Sequence, residues 1–261
     1  MTHSEMPIRL IAAPPTGFTA DGAVDTGVIE PLAAHLQRSG VAGVFINGTT
    51  GEGLSLTTDE REHAAVEWRR VVPDGVRLFV HVGHNSLGEA RRLAAHAADI
   101  GADAIAAVAP GFFKPDGIEG VTAWCREITA AAPELPFYFY HMPSLSGVPL
   151  RISAFLAHAG DRVPSLAGVK FTHEDLADYT AARRVADGRY DVLWGRDEML
   201  LGAVASGASG AVGSTYNIAA PLYLRLVEAH DRGEVTAARA LQDQAVDLVD
   251  ELVATGNIFQ A

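Results

Sequence analysis

The chain has 261 residues, of which 48% are hydrophobic and 20% charged, a composition that is ordinary for one large globular domain or two small ones. Its formal net charge of -12 argues against a nucleic-acid partner, because binding to phosphates requires a basic face. The single cysteine excludes an internal disulfide, and no apolar run approaches the roughly 20 residues that span a bilayer. The sequence therefore predicts a soluble cytoplasmic protein without a membrane partner.

Eight short apolar segments recur along the chain and are typical of buried strands. They begin at Arg9, Gly43, Arg77, Ala104, Pro136, Leu166, Asp191 and Gly210. Nearly all of them are continuous apolar runs, which is the pattern of parallel strands covered on both faces. The intervals between them are long enough for the crossover that a parallel pair requires.

Helical patterns fill the intervals. Apolar residues recur at helical spacing from Ile29 to Leu36. Three later helices are predicted to begin at capping boxes or near variants of them: Thr57-x-x-Glu60, Ser86-x-x-Glu89 and Asp116-x-x-Glu119.

Eight alternating units predict an α/β protein with a (β/α)8 TIM barrel, and an open doubly wound sheet is the alternative. Residues 217–254 are predicted to be wholly helical. We therefore divide the chain into a catalytic barrel, residues 1–233, and the start of a C-terminal helical extension, residues 234–261.

In such a barrel the chemistry lies on the loops at the C-terminal ends of the strands. The second strand leads into NGTTGEG, where Thr49, Thr50 and the glycines could form a cradle for an anion. The alternative is a simple turn, because these residue types tolerate unusual backbone angles.

Lys170 is the most informative residue at a strand end. The chain has 18 arginines and two lysines, and this lysine lies inside the apolar run LAGVKF. A neutral amine is a nucleophile toward carbonyls, whereas arginine could replace a lysine that only pairs with a carboxylate. The alternative is a lysine that pairs with a carboxylate or extends to solvent.

Other polar side chains also fall at strand ends. Tyr140 could transfer protons near the amine, although a buried aromatic with a satisfied hydroxyl is the commoner case. A metal site is a further alternative, and its candidate ligands are His81, His84, His141, Asp197 and Glu198. None of these has tight ligand spacing, so we predict no metal.

Four segments together resemble a known superfamily: NGTTGEGLSLTTDER, FYFYHMPSLSGV, GVKFTHEDL and GRDEMLLGAVASGASGAVGSTYN. They are similar to the N-acetylneuraminate lyases and dihydrodipicolinate synthases, which are class I aldolases, and in particular to the lyase branch. The resemblance implies a (β/α)8 barrel, a Schiff base between pyruvate and Lys170 with no cofactor, and a homo-oligomer, specifically a tetramer.

The resemblance also implies roles for individual residues. Thr49 and Thr50 match positions that hold the pyruvate carboxylate, and Tyr140 matches a phenol that shuttles protons. The sugar portion of a substrate would meet Thr172, Gly195, Asp197, Glu198, Gly213 and Ser214.

Three features bear on the branch and on the length of the chain. His141 follows Tyr140 as in the lyases, and Leu145 stands where the synthases place an arginine that clamps a second carboxylate. The segment APGFFKP lacks the tyrosine that synthases have there, so their full hydroxyl relay is not expected. The C-terminal extension is expected to be shorter than is usual in the family.

The predicted activity is cleavage of N-acetylneuraminate, or of a similar sialic or 2-keto sugar acid, to pyruvate and an aldehyde sugar. One alternative is another pyruvate-dependent aldolase or dehydratase, including one like dihydrodipicolinate synthase, because shared motifs do not set specificity. The other is a non-catalytic barrel that binds a keto acid.

Overall fold

The computed structural model describes residues 8–256, and a closed ring of eight parallel strands lies at its centre. The strands are β1 (Arg9–Ala12), β2 (Gly43–Ile46), β3 (Arg77–His81), β4 (Ala104–Val108), β5 (Phe137–His141), β6 (Leu166–Phe171), β7 (Asp191–Trp194) and β8 (Gly210–Gly213). They pair in chain order, and β8 closes the ring by pairing in parallel with β1. The predicted barrel is confirmed, and the open sheet is wrong because such a sheet would leave β1 and β8 apart.

Helices connect the strands and cover the barrel. They are α1 (Ile29–Arg38), α2 (Thr58–Val71), α3 (Leu87–Asp99), α4 (Gly117–Thr129), α5 (Pro143–Ser146), α6 (Ile152–Ala159), α7 (Leu176–Ala182), α8 (Leu200–Ala205), α9 (Tyr216–Asp231) and α10 (Val235–Ala254). Short 3-10 turns span Thr26–Val28, Val185–Gly188 and Asp197–Met199. No helix in the described range is long and apolar enough to cross a membrane.

The predicted helix starts are largely confirmed. Thr57 and Glu60 form the complete capping box, in which each side chain accepts a hydrogen bond from the other residue's backbone N–H. The Ser86 hydroxyl accepts from the backbone N–H of Glu89. Asp116 does precede α4, but its side chain makes no capping hydrogen bond, so the prediction of a capping box there is wrong.

Alternation along each strand separates an inner from an outer layer of side chains. On β5, Tyr140 belongs to the cluster inside the barrel, whereas Phe139 belongs to the cluster between barrel and helices. On β6, Val169 and Phe171 likewise pack in the outer cluster. Lys170 lies between them in the chain and therefore points into the barrel.

Residues 217–254 were predicted to be wholly helical, and this is wrong only at one turn, which divides the region into two helices. α9 and α10 are separated by a turn at residues 232–234, where Gly233 has a left-handed backbone with φ of 74°. The Gln242 side chain on α10 accepts a hydrogen bond from the backbone N–H of Leu201, which ties α10 to the start of α8. The division of the chain at residues 233 and 234 stays a prediction.

Candidate active site

A pocket of about 140 Å³ opens where the strands end at their carboxyl side. All ten side chains or glycines that the sequence analysis assigned to the site line it: Thr49, Thr50, Tyr140, Lys170, Thr172, Gly195, Asp197, Glu198, Gly213 and Ser214. They come from the ends of β2, β5, β6, β7 and β8. The barrel therefore brings together residues that are up to 165 positions apart in the chain.

Lys170 is buried at the base of this pocket, with 5% of its surface exposed. Its Nζ atom lies 4.1 Å from the ring centroid of Phe45 and 4.1 Å from that of Tyr140. Lys170 takes part in no ion pair among the described residues. Neither a paired lysine nor one that extends to solvent fits these surroundings, so a different reason for the buried amine is required.

The two threonines of the loop after β2 face the end of β5 and the start of the loop after β8. Thr49 Oγ1 lies 3.1 Å from the Tyr140 hydroxyl, and Thr50 Oγ1 lies 2.6 Å from the Ser214 hydroxyl. The Tyr140 hydroxyl also donates to the Met142 sulfur at 3.0 Å. Four hydroxyls of the pocket thus form two hydrogen-bonded pairs, one of Thr49 with Tyr140 and one of Thr50 with Ser214.

Asn47 fixes the shape of this loop. It is buried and adopts a left-handed backbone with φ of 57°, and its side-chain amide donates to the Arg61 carbonyl. A Cβ atom at Gly53 would overlap the Asn47 carbonyl, which explains the glycine at that position. The loop is therefore held by close approach of its own backbone segments.

His81, at the end of β3, holds the same loop through a hydrogen bond to Asn47. Its Nδ1 atom donates to the Asn47 carbonyl at 3.0 Å, and its Nε2 atom accepts from the backbone N–H of Val108 at 3.2 Å. Burial, together with the charges of Arg61 and Lys170, holds the pKa of His81 well below its usual range. A neutral ring satisfies both hydrogen bonds, so His81 has a structural role.

His141 does not reach the pocket. Its ring packs between Phe139 and Phe171 in the outer layer, and burial lowers its pKa to about 4. His141, the residue that the sequence analysis compared with the lyases, is therefore not among the residues that line this pocket. Within residues 8–256 no three His, Cys, Asp or Glu side chains are arranged to hold a metal ion.

The two neighbouring acids after β7 have different environments. Asp197 is buried, and its Oδ2 atom accepts hydrogen bonds from the Thr215 backbone N–H at 2.9 Å and from the Thr215 hydroxyl at 2.6 Å. Burial raises the pKa of the Asp197 carboxyl, and the bonds from Thr215 oppose that rise. A Cβ atom at Gly213 would overlap this carboxylate. Glu198 is more exposed, and its Oε1 atom lies 3.1 Å from Arg196 Nε.

Thr172 and Gly195 form the wall between β6 and β7. The Thr172 hydroxyl is buried and has no hydrogen-bond partner among the described residues. A Cβ atom at Gly195 would overlap that hydroxyl. A buried, unpaired hydroxyl that lines a cavity is suited to bind a polar ligand group.

Several residues near the amine were not among the predicted site residues: Phe45, Met142, Arg196, Thr215 and Val249. Phe45 and Met142 lie within two residues of a predicted loop or of Tyr140, so alternation and adjacency could have found them. Val249 lies on α10 and reaches the pocket only because of tertiary packing, which leaves no local signal.

A second cavity of about 500 Å³ adjoins the first, with Thr49 and Met142 in both walls. Leu145 lines this second cavity rather than the pocket around Lys170, and 64% of its surface is exposed. Leu54 and Phe112 complete an apolar rim. The Leu145 side chain offers no hydrogen bond to a ligand in this cavity.

Comparisons with known proteins agree with this geometry. The dihydrodipicolinate synthetase family matches residues 6–260. A rat protein named N-acetylneuraminate lyase is 40% identical over 250 residues, which are 95% of this chain and 78% of the rat protein.

Solved structures give the same result. The N-acetylneuraminate lyase of Aliivibrio salmonicida is 39% identical and superposes with a TM-score of 0.94 over 96% of this chain and 83% of that one. The DHDPS of Cyanidioschyzon merolae is 28% identical, with a TM-score of 0.87 over 94% and 83% of the two chains. The chain described here belongs to the dihydrodipicolinate synthetase family.

Proposed function

We propose that this protein is a carbon–carbon lyase, a class I aldolase that cleaves N-acetylneuraminate or a similar 2-keto sugar acid to pyruvate and an aldehyde sugar. The observation that carries the proposal is the buried, unpaired amine of Lys170 beside the Tyr140 and Thr49 hydroxyls. Family membership and relatives named N-acetylneuraminate lyase support the choice of substrate class.

The proposed chemistry begins at Lys170. Its amine attacks the C2 ketone, water leaves, and the resulting iminium attracts electrons from the C3–C4 bond. Tyr140 takes up the proton of the C4 hydroxyl and passes its own phenol proton to water as that bond breaks, which releases the aldehyde and leaves an enamine. The enamine takes up a proton at C3, and water then hydrolyses the iminium to free pyruvate and Lys170. The scheme uses no cofactor.

Binding is divided between two ends of the pocket. Hydroxyls and backbone N–H groups at Thr49 and Thr50 would hold the carboxylate, which fixes the ketone against Lys170. Thr172, Asp197 and Glu198 would receive the hydroxylated tail, with Gly195, Gly213 and Ser214 forming the surrounding wall.

A panel of substrates, read by pyruvate release, tests the proposal. N-acetylneuraminate should be cleaved. If this acid is not cleaved but a 2-keto-3-deoxy acid or the synthase substrates are turned over, the protein is instead another enzyme of the superfamily. No turnover of any of them by folded protein would favour a non-catalytic barrel that binds a keto acid.

Glu198→Gln should impair cleavage of long substrates and spare pyruvate capture. The loss of a charged acceptor should cost about 1 to 3 kcal/mol in transition-state binding of N-acetylneuraminate, measured as kcat/KM. Glu67→Gln is the matched control, because Glu67 pairs with an arginine Nε at 3.0 Å and is similarly buried, but on α2. Equal losses in pyruvate trapping and sugar cleavage would point to a structural role for Glu198.

We also propose that the protein is a cytoplasmic homo-oligomer, specifically a tetramer. Large apolar side chains lie uncovered at the second cavity: Phe112, which lines it, is 78% exposed, and the next residue, Phe113, is 85% exposed. Exposed apolar clusters of this kind mark interaction surfaces. The double substitution Phe112→Ser with Phe113→Ser should lower the mass measured by light scattering. An unchanged mass would exclude this rim from the contact between subunits.

A further inference from the structure

We propose that Arg196 is a specificity-determining residue with two roles. It holds Glu198 toward the hydroxylated tail of the substrate, and its positive charge reduces the repulsion between an anionic substrate and the acidic side chains of that wall. The inference rests on the proposed function and concerns a residue outside the set that the family resemblance assigned to the site. It is carried by a chain of ion pairs at the mouth of the pocket.

Arg196 is held at both its backbone and its side chain. The Trp194 indole donates to the Arg196 carbonyl at 2.6 Å, which fixes the backbone two residues beyond the end of β7. The Nη2 atom of Arg196 pairs with the Glu174 carboxylate, from the loop after β6. His173 Nδ1 lies 2.9 Å from the other oxygen of that carboxylate. Arg196 therefore bridges the loops that follow β6 and β7.

The third contact of Arg196 reaches the candidate substrate acceptor. Its Nε atom lies 3.1 Å from Glu198 Oε1 without the alignment of a hydrogen bond, so this contact is an ion pair. Glu198 accepts no hydrogen bond from any described residue, which leaves its lone pairs for ligand hydroxyls. The rigid guanidinium fork allows one residue to hold Glu174 and Glu198 at once.

The charges around the pocket also favour this role for Arg196. Lys170 and Arg196 are the cationic residues among those that line the pocket, and Asp197 and Glu198 are the acidic ones. The whole chain carries a formal net charge of -12, which opposes the approach of a sugar acid. Without Arg196, the wall formed by Asp197 and Glu198 and the nearby Glu174 would repel an anion that approaches the tail end of the pocket.

The test compares Arg196→Gln with Arg196→Lys and with the control Arg92→Gln. Arg92 also bridges two carboxylates, those of Glu62 and Asp59, but it lies on α3 away from the pocket, so its loss changes the net charge equally. For Arg196→Gln we expect the KM for N-acetylneuraminate to rise about 10-fold, with kcat within about 2-fold of wild type.

Two readouts separate this role from a structural one. Arg196→Lys should recover part of the KM because it keeps the charge and loses the fork, and added salt should narrow the gap between Arg196→Gln and wild type. Borohydride trapping of pyruvate should stay within about 2-fold, because its carboxylate is proposed to bind at Thr49 and Thr50.

The outcomes distinguish this inference from the proposed function. A wild-type enzyme that cleaves N-acetylneuraminate, together with an Arg196→Gln variant of unchanged KM, overturns the role of Arg196 alone. If Arg196→Gln loses pyruvate trapping to the same extent as it loses cleavage of N-acetylneuraminate, the role of Arg196 is also overturned, because the effect would then not be specific to the tail. A folded wild-type protein that releases no pyruvate from any sugar acid overturns the proposed function and this inference with it.

Discussion

Replacing Lys170 with arginine is expected to abolish turnover while the barrel stays folded. Arginine keeps a positive charge between the Phe45 and Tyr140 rings but cannot form an imine with a ketone. The adjoining pocket provides room for the longer side chain. Pyruvate release from N-acetylneuraminate should fall by at least about 10³-fold, the scale on which loss of a nucleophile acts.

Lys114→Arg is the matched control, because Lys114 is the only other lysine of the chain and is exposed. Its activity should equal that of wild type. Circular dichroism and the melting temperature show whether each variant is folded. Appreciable turnover by folded Lys170→Arg would assign the nucleophile to another residue.

The second large effect is expected for Tyr140→Phe, which should lower kcat by roughly 10²-fold or more, the usual loss when a positioned acid–base group is removed. The substitution deletes the hydroxyl that lies 3.1 Å from Thr49 Oγ1 and keeps the ring that packs against Phe45. Pyruvate should still be trapped on the lysine, since the proposed role of Tyr140 lies in proton transfer at C4.

Tyr138→Phe is a suitable comparison, because Tyr138 also points into the barrel but donates to Asp191 at the start of β7, away from the pocket. Its rate should change little. If kcat of Tyr140→Phe, measured beside this control, is unchanged, Tyr140 has no role in proton transfer and is a buried aromatic residue with a satisfied hydroxyl.

The strands were predictable because parallel strands buried on both faces leave continuous apolar runs. All eight lie where the sequence analysis placed them, and Lys170 was conspicuous because a lysine interrupts one of these runs. That the candidate residues would lie close together was also predictable, because a barrel brings the carboxyl ends of all its strands to one face.

Other features depend on information that local sequence lacks. The position of His141 in the outer layer follows from strand alternation once Tyr140 points inward, but its packing between Phe139 and Phe171 is tertiary. The pairing of Arg196 with Glu174 joins two loops that are 22 positions apart. Asp116 has the sequence of a helix cap and lacks the hydrogen bond, because a capping motif favours this contact without requiring it.

The central claim is that Lys170 forms the imine, and reduction with borohydride in the presence of pyruvate tests it most directly. Peptide mass spectrometry after reduction should find a single adduct, a secondary amine formed from pyruvate, on the peptide that contains Lys170. The adduct should be absent when pyruvate or borohydride is omitted, and absent in Lys170→Arg. An unmodified Lys170 in protein that still cleaves the sugar acid, or an adduct confined to Lys114 or the N-terminus, would contradict the account.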